Sequence, residues 1–413
     1  MTKQTIELEQ QAFHNFLPRS EGEGKTEQDV LVEKNGLSSL VPGKKCINAS
    51  AFTPTEVSRI VDLRSDTVTQ PTALMRAAMA EALVADDILG SDPTAALLQE
   101  RTAKMFGKEA GLFVPSGTMG NLIAVLVHCE VRGSEVILGS ESHIHYYEQG
   151  GISTLGGVYS HVVPNESDGT MDLRKVETAI RPDDDHFAST RLICIENTHN
   201  RCGGRCISVE YTDKMGKLAK SYNIKFHIDG ARIFNAAVAL GVSVERLCQA
   251  ADSVSICLSK GLGAPVGSVL VGSHEFITKA KRLRKALGGG MRQLGVVCAP
   301  GLVCLDHMVQ RLDCDHRNAR LLAEGLNKMA GLRVDLNSVD TNIVFIDVGS
   351  ESSLGVEEIS EALKRKGVLV MMMDRTRIRL VTHYHITEDD ALRVLTCFKA
   401  CCLHPVFLQL SVY

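Results

Sequence analysis

Three segments carry side chains able to do chemistry, each at the end of a short apolar run. Lys225-Phe226-His227-Ile228 leads into Asp229-Gly230-Ala231-Arg232. A carboxylate there can accept a hydrogen bond from a ligand nitrogen, although Asp-Gly alone also suits a plain turn. Ser253 to Leu258 leads into Ser259-Lys260-Gly261-Leu262-Gly263. A lysine at a strand end, flanked by glycines that permit close backbone approach, can form a Schiff base. Phe113-Val114-Pro115 leads into Ser116-Gly117-Thr118, followed by an apolar helical stretch from Leu122 to Cys129. Backbone N–H groups and hydroxyls at a helix start suit a phosphate; Ser116 or Thr118 acting only as a cap is the plainer alternative. Lysine, acid and anion cradle, each after a strand, are together what pyridoxal 5′-phosphate requires.

The elements that must position these groups follow from the pattern. Glu135 to Gly139, Arg191 to Ile195, Lys225 to Ile228 and Ser268 to Gly272 read as buried strands. Helical stretches such as Asp213 to Tyr222 and Val244 to Ala250 lie between them. That alternation predicts an α/β fold with a mainly parallel sheet, whose ligands sit at the carboxyl ends of its strands. The last hundred or so residues change rhythm. A long helix is expected over Asp306 to Met329, then a strand at Asn342 to Val348 and a helix at Val356 to Lys366. Strands at Val368 to Met372 and Arg377 to Val381 follow, then a helix from Thr387 with a capping-box-like Asp390. The expected organisation is a polar, disordered tail over 1–58, a large domain over 59–304 and a smaller α+β domain over 305–413.

Composition narrows the classes. With 413 residues, 45 basic against 49 acidic and a net charge of −4, the chain lacks the basic surplus that nucleic-acid binding demands. No apolar run reaches the roughly 20 residues of a membrane span. Thirteen cysteines in no regular framework read as reduced thiols. The N-terminal MTKQTIELEQQ resembles neither a signal peptide nor a transit peptide, so a cytoplasmic location is expected.

Several strings resemble those of the threonine aldolases, pyridoxal-phosphate enzymes of the large aspartate-aminotransferase-like fold, fold-type I. They are LRSDTVTQPT from Leu63, DPT from Asp92, HCE from His128, ENTHN from Glu196, HIDGARIFNAAVA from His227, ICLSKGLGAPVGS from Ile256, LGGGMRQ from Leu287 and RLVTH from Arg379. They run in order from about residue 60 to 383, and the LRKALGGGMRQ stretch is closest to animal members. The resemblance implies a seven-stranded sheet, a Schiff base on Lys260, Asp229 on the pyridine nitrogen with Arg232 beside it, and Gly117 and Thr118 on the phosphate. It implies that Arg292 reaches the phosphate from a neighbouring subunit and that His143 stacks on the cofactor ring. Ser65, Arg232 and Arg379 match groups around the substrate carboxylate; a planar guanidinium pairs bidentately with such a group. A homotetramer, a dimer of dimers with shared sites, is the family expectation. The implied reaction is retro-aldol cleavage of L-threonine or L-allo-threonine to glycine and acetaldehyde, in threonine catabolism and glycine formation.

Some questions stay open at this level. His199, in ENTHN, suits the proton of a β-hydroxyl group, but His143 or a phosphate-bound water suits it as well. The i, i+2 spacing of His143 and His145 equally suits one side of a strand with no catalytic part. His199, Cys202 and Cys206 lack the paired CxxC spacing of a structural zinc site, and no metal is expected. Leu89 stands where the family usually has tyrosine, which removes a hydroxyl. Another reaction on the same fold, or a silent cofactor-binding homologue, is the alternative reading.

Overall fold

The fold is described from a computed structural model over residues 59–403; the expected tail over 1–58 and the last ten positions of the expected small domain lie outside the described residues. After a two-residue strand, β1 (Val61–Asp62), come β2 (Ala110–Val114), β3 (Ser134–Gly139), β4 (Tyr159–Val163), β5 (Ser189–Glu196), β6 (Lys225–Asp229), β7 (Ser253–Cys257) and β8 (Ser268–Gly272). Strands β2 to β8 form one seven-stranded sheet in the order β2-β8-β7-β6-β5-β3-β4. Only β8 runs against its neighbours; the other pairings are parallel. Six strands therefore end on the same side, and Gly117, His143, His199, Asp229 and Lys260 lie at or just after those ends.

The strands read as continuous apolar runs because helices cover both faces of a parallel sheet. Every residue of β3, β7 and β8 is buried, whereas edge strand β4 exposes Tyr159. Fully burying side chains such as Phe226, Ile228 and Val254 contributes roughly 1.5–3 kcal/mol each. The helix Gly117–His128 buries Gly120 to Val125 without a polar face, because it lies within the core.

The C-terminal strands are β9 (Leu332–Arg333), β10 (Ile343–Val348), β11 (Val368–Leu369), β12 (Met371–Met372) and β13 (Arg377–Val381). Four of them make an antiparallel sheet in the order β12-β13-β10-β9, and β11 pairs in parallel with β1. Residues 61–63, expected with the larger domain, thus pack against Leu380 and Phe398 in the C-terminal core. This pairing delivers the next turn, Ser65 and Asp66, to the strand ends of the large sheet.

The helix expected over Asp306 to Met329 is instead a π turn at Cys304–Met308, a 3₁₀ turn at Val309–Arg311 and an α-helix at Leu312–Leu326. The Cys304 thiol donates to the Leu262 carbonyl at 3.1 Å, so packing against the loop after Lys260 overrides the simple helical period. The helix expected from Asp213 begins at Val209, because the Ser208 hydroxyl accepts from the Tyr211 N–H. Val244–Leu247 is a single turn. At Thr387 the capping box forms in both directions, Thr387 N–H to Asp390 at 3.0 Å and Asp390 N–H to the Thr387 hydroxyl at 3.1 Å.

Candidate active site

Lys260 follows β7 in a loop whose shape is set by backbone contacts. Its carbonyl accepts from the Gly263 N–H at 2.8 Å and from the Thr69 hydroxyl at 3.3 Å. Gly263 has φ +82°, a conformation that favours glycine. The Lys260 side chain is half-buried and lies within the field of Asp66.

Asp66 is fully buried and takes both arms of the Arg232 guanidinium, Nε at 2.7 Å and Nη2 at 2.6 Å. Burial alone would raise its carboxyl pKa. The Arg232 charge and hydrogen bond, with the Lys260 charge and Asn342, outweigh that and bring it down to about 2. The hold of Arg232 on Asp66 is bidentate, and its Nη1 lies outside that pair.

Asp229 closes β6. Its Oδ1 accepts from the Ala231 N–H at 3.1 Å and its Oδ2 from the Asn121 amide at 2.9 Å. It therefore does shape the local turn, and each oxygen keeps a lone pair for a further donor. His143 starts a one-turn helix, His143–Tyr146, so the strand considered for His143 and His145 does not form. The Ser142 hydroxyl and the Gly139 carbonyl, 2.8 Å apart, turn the chain as it leaves β3. Glu196, at the end of β5, takes the His143 N–H at 2.6 Å and the Asn200 N–H at 2.9 Å, and so ties two loops together. The His143 ring bonds to Glu148 at 2.9 Å. Burial opposes the imidazolium, but that bond and the charges of Asp229, Glu148 and Glu196 raise the His143 pKa.

His199 is 1% exposed, and neither ring nitrogen has a hydrogen-bond partner among the described residues. Gly169, at φ +85°, comes so close to His199 that a β-carbon there would lie 2.7 Å from the His199 Cβ. Arg379, on β13, donates to the Asn200 side chain at 2.9 Å and to the Arg64 carbonyl at 3.0 Å, while its buried Nε–H has no partner among the described residues. Burial, then the nearby Arg232 charge, lower its pKa to about 10. A guanidinium so placed is stabilised by an anion. Ser65 caps the 3₁₀ turn Asp66–Val68 by accepting from the Thr67 N–H at 3.3 Å.

Ser116, not Thr118, caps the helix Gly117–His128, through the Met119 N–H at 3.1 Å. Thr118 is left exposed beside first-turn N–H groups that have no intrahelical acceptor. A β-carbon on Gly117 would lie 2.7 Å from the Cys257 Sγ, so only glycine lets the helix start seat this closely on β7. These features fit pyridoxal phosphate: a lysine amine, a carboxylate with free lone pairs, an imidazole and an open helix start converge on the same strand ends. The unpartnered Arg379 Nε and His199 nitrogens add places for a substrate.

Arg292 does not join these contacts. Its exposed guanidinium pairs with Asp86 at 2.9 Å, and Leu89, in the turn that Asp86 caps, is 80% exposed. Position 89 thus points away from the protein's own body. Among the described residues, His199, Cys202 and Cys206 do not form a ligand set; His143, Glu148 and Asp229 bring ligand atoms within 4.8 Å of one another, atoms already engaged as above. Sequence reasoning gave no role to Asp66, Asn121, Glu148, Glu196 or Asn200. All but Glu148 fall inside the motif strings or beside the Ser116-Gly117-Thr118 segment.

Residues 62–350 match the model of the beta-eliminating lyase family. A low-specificity L-threonine aldolase of Arabidopsis thaliana is 59% identical over 345 residues, covering 83% of this chain and 96% of that protein. The low specificity L-threonine aldolase of Escherichia coli K12 is 43% identical over 341 residues, 83% of this chain and 99% of that one. Among solved structures, a Leishmania major threonine aldolase aligns with a TM-score of 0.71 at 20% identity, over 83% of this chain and 99% of that one. A Sphingomonas wittichii serine palmitoyltransferase aligns at 0.66 and 15% identity, over 83% and 86% respectively. These two likenesses concern the fold, which is fold-type I.

Proposed function

The chain belongs to the beta-eliminating lyase family, and on that footing we propose that it is a pyridoxal-phosphate-dependent aldehyde-lyase that cleaves L-threonine and L-allo-threonine to glycine and acetaldehyde. The observation that carries this reading is a pair of buried groups, unpartnered among the described residues and joined through Asn200. The Arg379 Nε–H and the His199 ring are linked through Asn200, which follows His199 in the chain and accepts from Arg379. A β-hydroxy amino acid has a carboxylate for the first and a hydroxyl for the second.

When bound, pyridoxal phosphate supplies an electron sink for the pair released at Cα. Lys260 would hold its aldehyde carbon, Asp229 its ring nitrogen, His143 its ring face, and Gly117 with Thr118 its phosphate. Arg379, with Ser65 near it, grips the substrate carboxylate and so sets which bond at Cα breaks. His199 takes the β-hydroxyl proton as the Cα–Cβ bond opens; the aldehyde leaves, and Cα gains a proton to become glycine. The Asp66 carboxylate holds Arg232 beside this pocket through Nε and Nη2, and the Arg232 donors outside that pair serve the same substrate carboxylate.

Proton NMR of the reaction mixture tests this reading. Cleavage yields glycine and acetaldehyde from threonine, whereas 2-oxobutanoate with ammonia would assign β-elimination instead. Arg379→Lys keeps a cation but loses the planar fork, and is expected to raise KM for threonine about ten- to a hundredfold. Unchanged KM in steady-state kinetics would remove Arg379 from the carboxylate site.

We further propose a homotetramer with shared sites, in which Arg292 serves the neighbouring subunit's phosphate. Its separation from its own chain's cluster and the exposed Leu89 beside it support this. Mixing Lys260→Ala with Arg292→Ala protein under subunit exchange is then expected to regain about one quarter of wild-type turnover, since half of the dimers are mixed and each holds one intact site. No regain would place Arg292 outside the shared site. The free thiols of Cys194, Cys248 and Cys298 support a reducing compartment, and we place the reaction in the cytoplasm, in threonine breakdown and glycine formation.

A further inference from the structure

Asn121 sits in the first turns of the helix Gly117–His128 and is 2% exposed. Its amide nitrogen donates to Asp229 Oδ2 and to Glu148 Oε1, both at 2.9 Å. Only the nitrogen of an amide can serve two carboxylates, so the orientation of the group is fixed by chemistry. Its oxygen then faces His227 Nε2 at 3.3 Å, which must carry the hydrogen. His227 Nδ1 accepts from the Ser253 hydroxyl at 2.8 Å, and the Ser253 oxygen accepts from His128 Nε2 at 2.8 Å. This sequence of donors needs the His227 imidazole neutral, while His128 donates from Nε2 in either state. Burial provides that, lowering His227 to about 4 and, with the charges of His227, Lys225 and Lys279, His128 to about 3. His128 stacks on Phe276, 4.7 Å between ring centroids, so the far end is fixed as well.

Two groups that would touch the cofactor therefore hang from one amide. Asp229 is held directly, and His143 is held through Glu148, whose Oε1 takes both Asn121 and the His143 ring. Without the amide, Asp229 Oδ2 and Glu148 Oε1 would lose the one donor that bridges them. The helix that carries this amide also carries Gly117 and Thr118, so the same element sets the phosphate, nitrogen and ring-face contacts. We propose that Asn121 and Glu148 are positioning residues that lock Asp229 and His143 at a fixed mutual angle, with His227, Ser253 and His128 holding the amide in register. This rests on the reading that Asp229 and His143 hold pyridoxal phosphate.

Double-mutant cycles on cofactor affinity test it, with apo-protein titrated with pyridoxal phosphate and followed by visible absorbance. Asn121→Leu, of similar shape, is expected to weaken binding about tenfold or more, as loss of a charge-assisted hydrogen bond does. In an Asp229→Ala background the same change is expected to have less than about a twofold further effect, because the amide acts through that carboxylate. Glu148→Gln changes only one atom of the side chain and guards against a variant that fails to fold. Its weakening of binding is expected to vanish in a His143→Phe background. Unchanged affinity in both single variants, or effects that multiply in the double variants, would overturn the proposal. A wild-type protein that binds no pyridoxal phosphate would overturn the reading beneath it, and the proposal with it.

Discussion

Lys260→Ala is expected to lower turnover at least about a thousandfold, some 4 kcal/mol of barrier. Among the described residues gathered at these strand ends, Lys260 alone is an amine. Arg232 and Arg379 are guanidinium groups, and Arg379, even lowered to about 10, stays charged at neutral pH. The loss should be chemical, not structural. The loop is held through the Lys260 carbonyl, by Gly263 and Thr69, and those bonds do not involve the side chain. Borohydride reduction of the cofactor-loaded protein followed by peptide mass mapping checks the point. The wild type should carry the cofactor mass on the peptide containing Lys260 and the variant should carry none. A full yield of adduct in the variant would mean that another amine is the anchor.

Asp66→Ala is expected to cost about 3–5 kcal/mol of stability, because it leaves the buried Arg232 without its counter-ion. The cost falls on the fold and the site together, since Asp66 joins the β1 turn, Arg232 after β6 and Asn342 of the C-terminal part. Urea unfolding at neutral pH measures it; a loss below about 1 kcal/mol would show that water reaches Arg232. The same pair predicts a pH dependence. Asp66 has an ordinary carboxyl value of 3.8 and a folded value of about 2, so the folded state binds the proton more weakly. Its contribution, about 2 kcal/mol, is fully present above pH 4 or so and is lost as pH falls towards 2. The Asp66→Ala protein should lack this component of acid unfolding.

The parts of the site legible from the sequence were those where residue type and strand end coincide. Asp229, Lys260 and Gly117 follow apolar runs directly, and the parallel topology brings such ends to one side. The supporting residues were not legible, because a buried Asp66 or Glu148 has the same letters as a solvated one. Only tertiary placement tells them apart, as when pairing of β1 with β11 carries Asp66 to Arg232. The alternative strand reading of His143 and His145 rested on a spacing that suits a strand as well as the turn that Ser142 starts. The break in the helix after Cys304 arises from contact with the Lys260 loop, a long-range cause that no local periodicity records.

The most direct test of the central claim is stoichiometric. Purified protein loaded with pyridoxal phosphate is given L-allo-threonine, with L-threonine in parallel and Lys260→Ala protein as the blank, and glycine and acetaldehyde are both quantified. Equal amounts of the two products from the wild type, and neither from the blank, are the expected result. Intact cofactor binding with no aldehyde from either isomer would contradict cleavage of the Cα–Cβ bond as the function of this site.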